Sequence, residues 1–340
     1  MGISPARELD GKPTVILRQQ DVRRVLSMRD CIAAVEAAFV SHAQGQTLGP
    51  AVLGVHVDGG GFHVKAAGLR SSVRSPVFSA KINANFPGNP AAHGLPTIQG
   101  VLGLFDASNG RVLALMDSIE ITSLRTAAAT AVAAKHLAPQ IADVVVCGCG
   151  EQSRHQLRAV ACVRPLQRVR AYDLDAERAR RFATDMRREL GVDVSVIDDL
   201  RTARDATIWI TCTPSHRWFI GREHVATGSF VAAVGADNPE KQEVEPELLA
   251  ANVVIADVLD QSATIGDLHH AIAAGVMRRE DVRGELADVV SRRVEGRRSD
   301  EEIIIFDSTG TALQDVAAAA VVYDHAIARG DCLTIDLSDA

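Results

Sequence analysis

The run Val144-Val145-Val146-Cys147-Gly148-Cys149-Gly150-Glu151-Gln152-Ser153 sets two glycines at alternate positions between a β-branched strand and a helical pattern over about 151–163. Gly148 suits a turn too tight for a Cβ, and Gly150 lets the backbone approach a pyrophosphate. The helix behind them, opening with Glu151 and Gln152, offers N–H donors at its positive end. The third small residue is Ser153 rather than glycine, and a glycine pattern alone is weak evidence. A second strand, Arg168 to Asp173, follows about twenty residues later and ends in an acid. A carboxylate there can accept both ribose hydroxyls of an adenosine and repels a 2′-phosphate, which favours NAD. Arg178 and Arg180 leave room for NADP. Strand, glycine turn, helix, strand and Asp173 together predict a dinucleotide site. The alternative is a structural βαβ turn in which Asp173 caps a helix.

Three further side chains could act on a substrate. Lys81 lies on a strand just before Asn83-Ala-Asn-Phe-Pro-Gly-Asn-Pro90, where a lone lysine is more often a solvated edge charge. Arg125 falls in the first turns of an almost wholly apolar helix, and a buried guanidinium there needs a partner. Asp117 or Glu120 would be the structural choice. Asp237 follows a strand in Val234-Gly-Ala-Asp-Asn-Pro-Glu-Lys241, at the carboxyl edge of the expected sheet, where open α/β sheets bind ligands. A turn cap is the plainer role for an Asp before Asn-Pro.

The elements that must position these residues fall into three stretches. An amphipathic helix is expected over about 29–44, with Ile32, Val35, Ala38 and Phe39 on one face. Short strands follow at 61–67, 78–83, 98–106 and 111–116, with a hairpin turn at Asp106-Ala-Ser-Asn-Gly110. An alanine-rich helix runs from Thr122 to Leu137. The middle stretch, about 143–306, alternates strands and helices as a doubly wound sheet does, with later strands at 207–211, 229–234, 253–257 and 303–306. The last helix, 311–328, is too apolar to stand alone and is expected to pack back on the first lobe. The fold class is therefore α/β: a Rossmann-type doubly wound parallel-sheet domain over 139–310, plus a smaller α+β domain formed by 1–138 with 311–340.

With 340 residues, 47% apolar and 4% aromatic, the chain is long enough for two cores. A net charge of −7 and the lack of a basic stripe argue against nucleic acid, and no apolar run is long enough to span a membrane. The scattered cysteines (31, 147, 149, 162, 212, 332) and the lack of a signal-peptide core point to reduced thiols in a cytoplasmic protein. No metal site is expected: His269 and His270 are adjacent on a helix and point about 100° apart.

Lys81-Ile-Asn-Ala-Asn-Phe-Pro-Gly-Asn, Gly94-Leu-Pro-Thr-Ile-Gln-Gly100, Asp117 through Ile121-Thr-Ser-Leu-Arg-Thr-Ala-Ala128, Gly148-Cys-Gly-Glu-Gln152, Gly235-Ala-Asp237 with Lys241, and Asp307-Ser-Thr-Gly310 occur in one order. That ordered set resembles the ornithine cyclodeaminase/mu-crystallin family over about residues 30–328. The resemblance implies that Lys81 and Arg125 hold a substrate carboxylate, that Thr97 lines the same pocket, and that Asp237 is the general acid/base or holds a substrate amine. It also implies that Thr126 and Ala127 approach the cofactor phosphates, that Thr213 and Ser215 lie along the cofactor, and that Val234 and Gly235 complete its site. A homodimer through the first-lobe sheet is implied as well.

The sequence departs from the family pattern twice. Cyclodeaminases tend to carry Asn-Gly-His-Pro after the lysine, where this chain has Asn-Ala-Asn-Phe-Pro-Gly-Asn-Pro. Many members carry Met-Pro-Ala on the preceding strand, where this chain has His63-Val-Lys65-Ala-Ala67. Lys65 is then either a third cation facing the substrate or a surface lysine. The walls of the side-chain pocket are expected from loops near 52–61 and 69–77. The leading expectation is an NAD(P)H-dependent reductase of a small cyclic imino acid such as Δ1-pyrroline-2-carboxylate, or a related amino-acid dehydrogenase. An ornithine or lysine cyclodeaminase with bound NAD is the second, and a non-catalytic small-molecule binder of the mu-crystallin type the third.

Overall fold

A computed structural model describes residues 13–70 and 75–337. The first sheet takes its strands in the order Leu333–Ile335, Thr14–Leu17, Val112–Asp117, Ile98–Asp106, Val77–Asn85, Gly60–Leu69, Thr47–Val57. Its neighbours are antiparallel except for Thr14–Leu17 beside Val112–Asp117. The register pairs Lys65 with Lys81, so the two ammonium side chains stand on one face, side by side.

The second sheet is parallel throughout, in the order Gly284–Glu285, Val253–Ala256, Ile304–Asp307, Phe230–Ala233, Ile208–Thr211, Ala142–Cys147, Leu166–Tyr172, Val194–Val196. Its central strands are apolar runs with both faces covered, so Val144, Val145, Val146, Ile208, Trp209 and Ile210 are all fully buried. The strand order reverses between Ala142–Cys147 and Ile208–Thr211, the place where doubly wound sheets open a crevice at their carboxyl ends.

Two helices join the sheets. Ile119–Leu137 is buried nearly all round, its alanines letting it touch the strands Phe230–Ala233 and Ile304–Asp307 as well as the helices Met28–Ala43 and Ala312–Arg329. Ala312–Arg329 packs against four strands of the first sheet.

Two sequence-based expectations need correction, and one element was not expected. The segment around 52–61, read as a loop wall, is instead the tip of a hairpin between Thr47–Val57 and Gly60–Leu69. Its outer strand exposes residues on both faces, so no alternation betrays it. The central helix starts at Ile119, not Thr122, because Asp117 Oδ1 accepts the Ile119 N–H at 3.0 Å and begins it a turn early. A two-stranded parallel pair, His216–Ile220 with Gln242–Val244, was not anticipated at all. Of the other expected loop wall, 69–77, positions 71–74 lie outside the described residues.

Candidate active site

At the carboxyl edge of the parallel sheet a groove of about 510 Å³ runs over Gly148, Cys149 and Gly150 to Tyr172, Asp173 and Arg178 on one side and to Cys212, Thr213, Pro214 and Ser215 on the other. Gly148 sits at φ +84°, its N–H bonded to Tyr172 O at 2.8 Å, and a Cβ there would stand 2.7 Å from Cys212 O. Gly150 precedes the Glu151–Val163 helix, and a Cβ on it would project into open space. The turn therefore leaves room for a ligand at the helix N-terminus, which fits a dinucleotide pyrophosphate. Gly148→Ala combines left-handed strain with a backbone clash. It is expected to weaken NADH binding by tenfold or more, on the order of the 1–3 kcal/mol such strain costs, measured by NADH fluorescence titration.

Asp173 is nearly buried. Its carboxylate accepts the Cys149 N–H at 2.7 Å and the Asp175 N–H at 2.9 Å, which ties the glycine turn to the second strand. It caps no helix: Asp175 caps Ala176–Leu190. Arg178 is half exposed at the groove, 3.8 Å from Asp173 and 3.7 Å from Asp175. Glu151 faces solvent and pairs with His155 on its own helix at 3.5 Å. Ser215 Oγ donates to Arg217 O at 2.6 Å.

A second cavity of about 290 Å³ shares Cys212, Thr213 and Pro214 with the groove. Lys65, Arg125, Thr126, Gln152, Val234, Gly235, Asp237 and Gly310 line it. Residues of both sheets and of the helix between them therefore contribute, and residues expected at the substrate meet residues expected at the cofactor. Thr126 turns its hydroxyl back to Thr122 O at 2.7 Å, and Gln152 donates to Ser123 O at 3.3 Å. Thr97 is not among the lining residues; its carbonyl accepts Phe86 N–H at 2.8 Å, and its neighbour Ile98 lines the cavity instead.

Lys81 does not line the cavity either. It is 2% exposed and donates to Asp315 Oδ1 at 2.9 Å and Thr122 Oγ1 at 3.1 Å. Arg125, 4% exposed, donates through Nε to the same Asp315 oxygen at 2.8 Å and through Nη1 to Gln314 Oε1 at 2.8 Å. The partners considered from sequence were wrong: Asp117 caps the helix, and Glu120 pairs with Arg23 at 2.9 Å. Lys65 donates to Gly310 O at 2.5 Å. Burial pushes Lys81 down to about 7, against the pull of Asp315. Burial, then Arg125, lower Lys65 too. Burial alone would raise Asp315, but Arg125 and Lys81 outweigh it and hold the acid below its ordinary range.

Asp237 is exposed and pairs with Lys241 at 2.8 Å. It is not the cap of the turn that follows; Asn238 Oδ1 takes the N–H groups of Glu240 and Lys241. Its carboxylate is thus left to Lys241 and the cavity. His270 Nε2 lies 2.9 Å from the Lys241 carbonyl.

Sequence reasoning missed Asp315 and Gln314 on the last helix, and Glu243 between the two cavities. A single acid in the apolar run Ala312-Leu-Gln-Asp-Val-Ala was the available signal for the first.

Residues 12–330 match the profile of the ornithine cyclodeaminase/mu-crystallin family, and the chain belongs to that family. It is 36% identical to the alanine dehydrogenase of Archaeoglobus fulgidus, over 93% of this chain and 96% of that one. Among solved structures it is similar to an archaeal alanine dehydrogenase dimer with bound NAD (TM-score 0.91, 35% identity, 96% of this chain and all of that one). It is also similar to the iminosuccinate reductase of Paracoccus denitrificans in complex with NAD+ (TM-score 0.89, 32% identity, 96% of this chain and all of that one).

Proposed function

We propose that the protein is a nicotinamide-dependent oxidoreductase acting at the Cα of a small imino or amino acid, with imine reduction to the amino acid as its working direction. The observation that carries this reading is the shared seam at Cys212–Pro214. There a groove fit for a dinucleotide opens onto a cavity walled by Arg125, Lys65 and Asp237. Gly148, Gly150 and Gln152, with Asp173 and Arg178 at the far end and Thr213, Ser215, Val234 and Gly235 at the near end, would hold the cofactor. When bound there, a nicotinamide supplies or takes up a hydride. Arg125 anchors the substrate carboxylate, oriented by Asp315 and Gln314. Lys81 acts through Asp315, adding positive charge behind the wall. Asp237 relays a proton from solvent to the imine nitrogen, and that protonation makes the Cα electrophilic. The acid Asp173 supports NAD over NADP.

The candidate substrates are Δ1-pyrroline-2-carboxylate, as the cyclic case, and the imines of 2-oxo acids with ammonia. One observation favours a second reading of the substrate: among the described residues the bonds of Lys65 go to backbone carbonyl oxygens, leaving its charge to attract a second carboxylate on the substrate. The test is a spectrophotometric screen of NADH and NADPH against the cyclic imine, pyruvate plus ammonia, and oxaloacetate plus ammonia, with ornithine alone as control. Imine-dependent loss of reduced cofactor is expected. Ammonia release from ornithine without NADH build-up would establish the cyclodeaminase reading instead, and turnover of nothing would leave a binding protein.

The free-enzyme pH profile should carry the mark of Lys81. Below about pH 7 its ammonium is protonated; as pH rises through 7 it loses the proton, and Asp315 then cancels the charge of Arg125. The value of kcat/KM for a carboxylate substrate should therefore fall on the alkaline side of about 7, toward the lower level of the form in which Lys81 is neutral. Lys81→Met should abolish that limb in whatever activity it keeps.

We further propose a division into lobes at 138/139 and 310/311 and a cytoplasmic homodimer. The dimer reading is supported by the outward apolar side chains Leu53, Val55, Phe62, Ile82 and Val101, which share one face of the first sheet. The six cysteines are unpaired, and among the described residues no helix is long and apolar enough to cross a membrane.

A further inference from the structure

The parallel strands Ile208–Thr211 and Phe230–Ala233 keep their ladder as far as the Val234 N–H to Thr211 O bond, and then separate to open the seam between the two cavities. Beyond that point a single buried carboxylate takes over. Glu243, 0% exposed, accepts the Thr213 N–H at 2.6 Å and the Thr213 hydroxyl at 2.7 Å on Oε1. On Oε2 it accepts the Thr211 hydroxyl at 2.6 Å and the Gly235 N–H at 2.7 Å. Four donors from two strand ends thus converge on one side chain, and two of those residues, Thr213 and Gly235, line the smaller cavity.

Glu243 is itself fixed from below. Asp267 Oδ1 accepts the N–H groups of Glu243 and Val244 at 2.8 and 2.9 Å, and Asp307 in turn accepts those of Asp267 and Leu268. The glycines record the same constraint. A Cβ on Gly235 would come 2.4 Å from the Glu243 carboxyl, and one on Gly266 would come 2.3 Å from Asp307. Among the described residues the strand carrying Glu243, Gln242–Val244, pairs only with His216–Ile220, so the acid is delivered from outside the main sheet.

We infer that Glu243 is a positioning residue which sets the separation of Thr213 and Gly235, and so the alignment of the cofactor's reactive end with the imine and Asp237. The inference rests on the reductase reading. Each Glu243 oxygen receives a backbone N–H, so an amide in its place must turn its NH₂ toward one of them in either orientation. A buried donor is then left without an acceptor, and one of the strand ends must move.

The experiment compares wild type, Glu243→Gln and Thr211→Val. The last residue is fully buried and lines neither cavity, so its substitution removes one donor to Glu243 and touches no ligand. The readouts are NADH affinity by fluorescence titration, KM for the imine, and kcat per NADH-binding site. For Glu243→Gln, a loss of about tenfold to a hundredfold in NADH affinity or in kcat per site is expected, with a smaller change of the same kind in Thr211→Val. These quantities are counted per binding site, so simple loss of folded protein does not move them. If Glu243→Gln does not fold, Thr211→Val decides alone, with a change of about threefold or more per site expected. Values within twofold of wild type, in Glu243→Gln or in Thr211→Val when it decides alone, would overturn the inference. Wild type that neither binds NADH nor reduces any imine would instead overturn the reductase reading.

Discussion

Replacing Asp315 by alanine is expected to lower the stability of the fold by about 3–5 kcal/mol, the range found when one member of a buried ion cluster is removed. The acid is fully buried, and one of its oxygens receives both Lys81 at 2.9 Å and Arg125 at 2.8 Å. Without it Arg125 stays charged, and Lys81 must either keep its ammonium unpaired or give up its proton, in a site that excludes water and faces Lys65 on the adjacent strand. Urea unfolding measures the loss. A second substitution tests its cause: Lys81→Met added to Asp315→Ala should recover part of the stability, because it removes an amine left without its acceptor, charged or neutral. A loss below about 1 kcal/mol, or no recovery in the double variant, would mean that the cluster does not hold the last helix to the first sheet. The activity should fall further than the stability, since Arg125 loses the group that fixes its Nε.

That cluster also shows which parts of the molecule were legible in the sequence. Local patterns were: the β-branched run into Gly148-Cys-Gly150 gave strand, turn and helix to within a residue or two, because each element is specified by neighbours in the chain. The 3.6-residue periodicity over Met28–Ala43 and the Asp106–Gly110 turn read equally well. What could not be read was the partner of Arg125, which lies 190 positions further on in a helix whose composition says only that it is buried. Glu243 was hidden for a different reason. It stands on a three-residue strand with no periodicity of its own, and its importance comes from four donors that the sheet topology brings to it. The hairpin of Thr47–Val57 was missed because a strand that exposes residues on both faces carries no alternation. Its apolar side chains make physical sense only against another surface.

Asp237→Asn should give the largest kinetic effect of any substitution at the site, a fall in kcat of about 10²–10⁴-fold, the usual contribution of a positioned general acid. The geometry separates this role from the alternatives. Asn238 already caps the turn, so Asp237 is not needed to fold the loop. Its side chain is half exposed and its partner Lys241 is a flexible ammonium, so exchange of the acid for an amide leaves no buried donor stranded. Stability should therefore change by no more than about 0.5–1 kcal/mol, as for an exposed ion pair. Because Asp237 lines the smaller cavity and not the dinucleotide groove, NADH affinity should stay within about threefold of wild type. Stopped-flow reduction of the imine, with NADH titration and thermal denaturation of the same sample, checks all three. If Asp237→Asn kept wild-type turnover, the proton would have to come from Lys241 or from water, and Asp237 would be only the counter-ion that holds that lysine at the mouth of the cavity.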